Sequence, residues 1–295
     1  MFPYPSAAAP TTVSTRANWR RQRVTVGNEL TLAVFTTGLT EPTAPTILLV
    51  HGMGHWTQAA WDFVAAALAG THRVIAFDLP GFGDSEKPNI AYSLAFYTAT
   101  LRGLVENLQL DRFALVGHSL GGLIAAAYAA AHPAQVRLLG LIDPAGFLRT
   151  PTLVLKIAGS RPVTWLLQAV RPSRGFVRRT FASAVFDPRT IPPDYHERAF
   201  ALSQDRSVTR AFTSVYANSM RTFISLDAVH ACLTTYAGPV TIIWGRDDKF
   251  VPVSGLAAAR HVYPQADVLE IANCGHCPNM EFPALVAARL VASGA

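Results

Sequence analysis

The chain has 295 residues, half of them apolar, which is enough to bury the core of an enzyme-sized globular protein. Its formal net charge of +6 is uneven, because twelve Arg and Lys against five Asp and Glu lie between Phe147 and Ala237. The sequence shows no nucleic-acid-binding motif, so we expect no nucleic-acid partner. A solvated basic face is the simpler interpretation, and a preference for anionic substrates or membrane surfaces is the alternative.

The first residues indicate where the chain begins to fold. Residues 1–20 are rich in Pro, Ala and Thr, and they lack the basic start and apolar stretch of a signal peptide. We therefore expect a flexible lead-in. Apolar runs such as Leu123 to Ala131 are too short to cross a membrane, which argues against integral membrane association. With three cysteines and no export signal, the sequence predicts a cytoplasmic protein.

Short apolar runs and helical periods alternate along the chain. The segment "RVTVGNELTLAVF", which begins at Arg23, predicts two strands joined at Gly27-Asn28. Continuous apolar runs that suit strands buried on both faces follow at 46–50, 73–77, 112–117, 136–142, 239–244 and 267–271. Helical periods lie at 56–68, 92–108, 120–131, 253–261 and 283–291. This order predicts an α/β fold, with helices on both faces of a mostly parallel sheet.

The alternation stops between residues 147 and 237, where prolines separate helical segments. We expect this stretch to be a helical cap, or lid, inserted into a core domain formed by residues 21–146 and 238–295. Substrate selection would then depend on the cap, whose apolar side chains either line an acyl or ring site or pack the lid onto the sheet. The candidates are Leu153, Val154, Leu155, Trp165, Leu166 and Leu167.

The segment "LVGHSLGG", at 115–122, follows a predicted strand and opens a helix of small residues. It contains G-x-S-x-G, whose glycines allow a strained strand-to-helix turn that exposes the hydroxyl of Ser119. The alternative is a glycine-rich packing turn with a serine N-cap. The strand before the motif and the helix after it favour the nucleophile.

Five segments in order resemble the landmarks of the α/β-hydrolase superfamily from Arg23 to the C-terminus. They are "LLVHGMGHW", "FDLPGFGDS", "GHSLGG", "IWGRDDKFVP" and "CGHCPNMEFP". The resemblance implies a serine nucleophile, then an acid, then a histidine base after the eighth strand. It therefore assigns Ser119 and His276, and it aligns Asp248 as the acid.

Alternatives remain for the acid and for the histidine segment. Asp143, after the sixth strand, is the rival acid, and Asp247 is expected to point outward or to cap the next helix. The cysteines around His276 could instead form a dithiol redox motif, but that motif normally opens a helix early in a small domain. We expect Cys274 and Cys277 to be bystanders.

A serine nucleophile also needs donors for the developing oxyanion. The backbone N–H groups of Met53 and Leu120 are the expected pair. His55 and Trp56 are candidates to border the substrate pocket, and packing of the following helix is their alternative. The sequence shows no metal cluster, phosphate loop or dinucleotide motif, so we expect chemistry without a metal or cofactor.

The wording of "GHSLGG" is similar to that of bacterial esterases and lipases. We therefore predict hydrolysis of small-molecule esters with short to medium hydrophobic acyl groups, by a monomer or homodimer. Carbon–carbon bond hydrolysis of ring-fission diketones is the alternative, although this chain has His118 and Cys277 where those enzymes usually carry Asn and Trp. A lactonase, a thioesterase and a catalytically inactive receptor or scaffold are further alternatives.

Overall fold

The computed structural model describes residues 15–27, 29–41, 43–148, 152–169 and 171–295. Within these residues eight strands form one sheet, in the order β1-β2-β4-β3-β5-β6-β7-β8. The strands are β1 (Arg20–Val26), β2 (Leu30–Gly38), β3 (Thr46–Val50), β4 (Arg73–Phe77), β5 (Phe113–His118), β6 (Val136–Ile142), β7 (Val240–Gly245) and β8 (Asp267–Ile271).

Helices connect the strands and surround the sheet. Those in the described part of the chain are α1 (Thr57–Leu68), α2 (Leu94–Asn107), α3 (Leu120–Ala131), α4 (Thr152–Ala158), α5 (Arg161–Ala169), α6 (Arg174–Ser183), α7 (Pro193–Gln204), α8 (Arg206–Ile224), α9 (Leu226–Leu233), α10 (Leu256–Val262), α11 (Pro278–Glu281) and α12 (Pro283–Ala292). None of these helices is both long and apolar enough to cross a bilayer.

The sheet is mostly parallel because crossover helices join its central strands. β2 pairs antiparallel with β1 and β4, and the remaining neighbours are parallel. Successive side chains of a strand point to opposite faces, so Leu48 and Val50 enter the core beneath α2 and α3. Ile47 and Leu49 enter the core beneath α1 and α12. The predicted α/β fold is confirmed.

The start of the chain differs from the expected flexible lead-in over residues 1–20. Residues 1–14 and Asn28 of the first predicted turn lie outside the described residues. Arg16 bonds to Asp194, and the indole N–H of Trp19 donates to Asp62 at 2.7 Å. The part of the lead-in that is described is therefore held against the folded domain, through α1 and α7.

The segment between β6 and β7 contains α4 to α9, and we call residues 152–233 the helical insertion. Its division from the core as a separate cap stays a prediction. Leu153, Val154 and Trp165 were expected either to line an acyl or ring site or to pack the lid onto the sheet. They are 69%, 53% and 70% exposed, so packing onto the sheet is wrong for them, and a place in the acyl or ring site stays a prediction. Leu166 and Leu167 are also exposed, and the side chain of Leu155 lies outside the described residues. These helices turn their large apolar side chains outward instead.

Candidate active site

Ser119 lies at a sharp turn between β5 and α3. Its backbone adopts φ 54° and ψ −119°, a strained conformation for a residue with a side chain. A Cβ on Gly117 would lie 2.1 Å from the Gly121 carbonyl oxygen, and one on Gly121 would lie 2.2 Å from the Val50 carbonyl oxygen. Only glycine allows β3, β5 and α3 to approach this closely, and the turn leaves the Ser119 side chain half-buried.

His276 links Ser119 to an aspartate. Its Nε2 lies 3.0 Å from Oγ of Ser119, and its Nδ1 lies 2.7 Å from Oδ2 of Asp248. Because an ionised carboxylate only accepts, Nδ1–H donates to Asp248, and Nε2 is left to accept from the hydroxyl. Oδ1 of Asp248 accepts from the N–H groups of Phe250 and Val251, at 2.7 and 2.9 Å. This is the geometry that base-assisted attack by a serine requires.

The three candidate acids lie in different environments. Asp248 contacts His276, whereas Oδ1 of Asp143 accepts from the N–H of Gly245 at 2.9 Å. Oδ2 of Asp143 is buried and has no hydrogen-bond partner among the described residues. Burial, together with the nearby Asp248 carboxylate, raises the pKa of Asp143 well above its usual range. Asp247 is exposed. The geometry thus brings Asp248, and not Asp143, to the imidazole.

The loop after β3 runs beside Ser119. A Cβ on Gly52 would lie 3.0 Å from Cβ of Ser119, so this loop contacts the turn directly. Within the described residues, neither the N–H of Met53 nor that of Leu120 donates to a protein acceptor. Both amides are free for a substrate oxygen, which their predicted role as oxyanion donors requires.

Two buried histidines hold these loops, and the sequence assigned neither of them a role. Nδ1 of His51 lies 2.8 Å from the Gly52 carbonyl oxygen, and its Nε2 accepts from the N–H of Leu79 at 2.8 Å. Nε2 of His118 lies 2.6 Å from the carbonyl oxygen of His276. A carbonyl only accepts, so the contacting nitrogens carry the protons. Burial lowers the pKa of His51 and of His118, which keeps both rings neutral.

Comparison with known proteins decides the family. The family model described as the alpha/beta hydrolase fold matches residues 45–283. The chain belongs to the α/β-hydrolase family. It resembles an uncharacterised protein of Mycobacterium tuberculosis (strain ATCC 25618 / H37Rv), with 31% identity over 250 residues that cover 81% of this chain and 72% of the relative.

Two further similarities point to different reactions. The 2-hydroxymuconate semialdehyde hydrolase of Pseudomonas sp. (strain CF600) is 29% identical, over 88% of this chain and 90% of the relative. The solved structure of a membrane phospholipase A, described as a bacterial virulence factor, is 27% identical and has a TM-score of 0.70. That match covers 93% of this chain and 85% of the other. The chain is thus a hydrolase enzyme whose relatives differ in substrate.

One carboxylate that the sequence did not single out joins the His276 loop of this hydrolase to the helical insertion. Oε1 of Glu281 accepts from the N–H of Gly275 at 2.7 Å, and Oε2 accepts from the N–H of Phe186 at 2.7 Å. The N–H of His276 donates to the Ala184 carbonyl oxygen at 2.6 Å. Burial raises the pKa of Glu281. No spacing in the sequence indicated these backbone donors.

The cysteines that flank His276 are free thiols. Cys274 and Cys277 are both buried, and burial raises the pKa of each thiol. A reactive cysteine needs a lowered pKa and access to solvent. Cys277 instead belongs to an apolar cluster with Trp56. The structure therefore gives the redox interpretation no support.

The two candidate pocket residues have different surroundings. The His55 ring lies between His118 and Phe181, at centroid distances of 5.4 and 5.6 Å. Its Nδ1 is buried without a hydrogen-bond partner in the described part of the chain, and burial lowers the pKa of His55 to about 3. Trp56 is fully buried against Phe181 and Tyr195. Full burial favours packing, the alternative left open for Trp56, and the place of Trp56 at the pocket edge stays a prediction.

Candidate metal-ligating atoms of His118, Asp143 and His276 lie within 4.8 Å of one another. However, both ring nitrogens of His276 are engaged by Ser119 and Asp248, and His118 is bonded through Nε2 to a carbonyl. The hydrogen-bond network of the site accounts for this grouping. Chemistry without a metal or cofactor stays a prediction.

Proposed function

We propose that this hydrolase cleaves carboxylic esters of short to medium hydrophobic acyl groups through an acyl-enzyme formed on Ser119. The observation that carries the proposal is the continuous chain of contacts from the Ser119 hydroxyl through His276 to Asp248, at 3.0 and 2.7 Å. In the proposal the helical insertion acts as a cap over these three residues, because the carbonyl oxygen of Ala184 in the insertion lies 2.6 Å from the backbone nitrogen of His276.

Acylation begins when Oγ of Ser119 attacks the ester carbonyl carbon. The hydroxyl proton moves to Nε2 of His276, and the carbonyl electron pair moves onto its oxygen. Asp248 stabilises the imidazolium through Nδ1–H. The backbone N–H groups of Met53 and Leu120 donate to the oxyanion, a contribution that is typically about 3 kcal/mol per donor. Collapse of this intermediate expels the alcohol, which takes the proton from Nε2, and leaves the acyl-enzyme.

Deacylation repeats the same proton transfers with water. His276 accepts a proton from the water as its oxygen attacks the acyl carbonyl carbon. The second oxyanion accepts hydrogen bonds from the same two backbone N–H groups. Its collapse breaks the bond to Oγ, and the proton returns from Nε2 to Ser119. The products are a carboxylic acid and the original enzyme.

The surroundings of the serine favour an uncharged acyl group. Phe250 lies 5.6 Å from the His276 ring, and Phe181 lies 5.6 Å from the His55 ring, in each case between ring centroids. The hydrogen-bonding and aromatic partners identified for Ser119, His276 and His55, within the described residues, include no Lys or Arg. An anionic substrate would lack a counter-charge among these direct partners; Arg198 lies one residue further out, over the Trp56 ring.

Carbon–carbon bond hydrolysis of a ring-fission product is the second candidate. The observation that favours it is the 29% identity to a 2-hydroxymuconate semialdehyde hydrolase, over 90% of that protein. Its substrate carries a carboxylate, for which the contacts of the triad offer no cation. The same serine, histidine and aspartate would serve either reaction, so the substrate alone separates the two.

A panel of nitrophenyl esters with graded acyl length, assayed beside a ring-fission diketone, tests the proposal. Burial of one methylene is worth about 0.8 kcal/mol, so kcat/KM should rise about fourfold per methylene until the site is full, and then fall. We expect a maximum at intermediate acyl length and negligible diketone cleavage. Ser119→Ala supplies the background rate. Diketone cleavage faster than the best ester would establish the second candidate instead.

A further inference from the structure

Large apolar side chains stand exposed on two neighbouring helices of the insertion. α4 and α5 contact each other, and both contact α8, so their exposed side chains are turned away from α8. These are Leu153, Val154 and Ile157 of α4, and Trp165 and Leu166 of α5, each more than half exposed. We call these five residues the outer surface. An exposed apolar group of this size usually marks an interaction site.

The segment of the sequence that carries the outer surface has charges of one sign only. Between Pro144 and Phe186 the sequence contains seven basic residues and no acidic residue. Arg174 pairs with Glu197 and Arg171 donates to a backbone carbonyl. Lys156 and Arg161 are exposed, and the ion pairs among the described residues involve neither of them. Uncompensated cations therefore lie on the same two helices as the apolar side chains.

We propose that the outer surface docks on an anionic lipid bilayer. Apolar side chains, with a tryptophan among them, enter the interfacial layer of a membrane, and Lys and Arg beside them bind anionic headgroups. α4 and α5 have seven and nine residues, so they would lie in the interface without crossing it. The proposal does not depend on the reaction, since none of the five residues is a hydrogen-bonding or aromatic partner of the triad among the described residues.

Other occupants fit the surface less well. A second copy of this chain would bring two cationic surfaces together, and like charges repel. A nucleic acid would satisfy the charges but would leave five large apolar side chains without an apolar phase. A membrane interface supplies both the negative charge and the apolar layer.

Binding of the full chain to sedimented vesicles tests the proposal. The two preparations are phosphatidylcholine alone and phosphatidylcholine mixed with phosphatidylglycerol. We expect partition onto the mixed vesicles to be at least about tenfold stronger, and to weaken as salt is added. Equal partition onto both preparations, or no binding to mixed vesicles at low salt, would overturn the proposal.

Paired variants separate the two contributions. Trp165→Ser with Leu166→Ser should reduce partition about tenfold, whereas Leu285→Ser with Val291→Ser removes exposed apolar side chains of α12 and should have little effect. Lys156→Gln with Arg161→Gln should also reduce partition about tenfold. Its control is Arg20→Gln with Arg23→Gln on β1. If the control pairs reduced vesicle binding as strongly as the outer-surface pairs, the outer surface would not be the docking site.

Tryptophan fluorescence reports the same event in the unaltered chain. Trp165 is 70% exposed, whereas Trp56, Trp61 and Trp244 are fully buried and Trp19 is half-buried. Mixed vesicles should therefore shift the emission to shorter wavelength. Trp165→Phe should abolish the shift and keep most of the binding. An emission shift that persists in Trp165→Phe would contradict the proposal. The surface would instead be a dimer interface if the chain bound no vesicles and the outer-surface variants disrupted a dimer.

Discussion

At the scale of single residues, the three aspartates separate orientation of the base from structural support. Asp248→Asn should lower ester kcat by about 10⁴-fold, because an amide favours the wrong tautomer of His276. Asp143→Asn should lower ester kcat far less. Burial and the nearby Asp248 carboxylate raise the pKa of Asp143, so they disfavour its charged form, and an amide carries no charge. Exposed Asp247→Asn is the matched control, and steady-state turnover is the measurement. If Asp143→Asn lost turnover while Asp248→Asn stayed active, the triad acid would be Asp143, at the end of β6.

Motif residues were predictable from the sequence because their spacing reflects chemistry. The turn around Ser119 and the ordered landmarks located Ser119, Asp248 and His276, which the structure brings within hydrogen-bond distance. The roles of His51 and His118 were not predictable. Each depends on a backbone carbonyl that packing brings to the ring, and His118 meets its carbonyl from a loop 158 residues away. Such pairs leave no periodic signal.

At the scale of elements, buried strands were predicted most accurately. β3, β4, β6 and β8 have the expected bounds, and in β3, β4 and β6 the apolar run ends where the strand leaves the core. The expectation that β8 is buried on both faces is wrong, because β8 is an edge strand and four of its five residues are only half-buried. β1 begins three residues earlier than expected, at Arg20. Its first residues are exposed on an edge strand, where no apolar pattern marks them. The single turn of α11 is too short to show a helical period.

The contact between the His276 loop and the insertion also belongs to this scale. Glu281→Gln replaces an acceptor of several backbone N–H groups by an amide that keeps one oxygen. We expect a loss of about 1 to 3 kcal/mol in the free energy of unfolding, together with lower ester turnover as the loop shifts. Urea unfolding followed by circular dichroism measures the first effect.

Glu106→Gln is the control for that variant, because Glu106 is an exposed carboxylate on α2 that pairs with Arg102. Exposed ion pairs typically contribute less than about 1 kcal/mol. If Glu281→Gln unfolded at the same urea concentration as this control and hydrolysed esters at the normal rate, the contact of Glu281 with the insertion would contribute neither to stability nor to turnover.

At the scale of the whole molecule, the sheet and the position of the insertion followed from the sequence, but the direction of the insertion's apolar faces did not. The sequence pattern of an amphipathic helix is the same whether its apolar face packs against the protein core or contacts another phase. Trp165 was a candidate to line an acyl or ring site or to pack the lid and is exposed, whereas Trp56 was a candidate for the pocket edge and is fully buried. Only tertiary packing distinguishes these outcomes.

The central claim is that Ser119 is the nucleophile of a serine hydrolase. A serine-directed phosphonate, followed by peptide mass spectrometry, tests it most directly. We expect one equivalent of label, on Ser119 alone, with loss of ester turnover in proportion to labelling. Ser119→Ala should take up no label, and should lose several orders of magnitude in kcat while its circular dichroism stays unchanged. Label on another residue, or a Ser119→Ala variant with full turnover, would contradict the account.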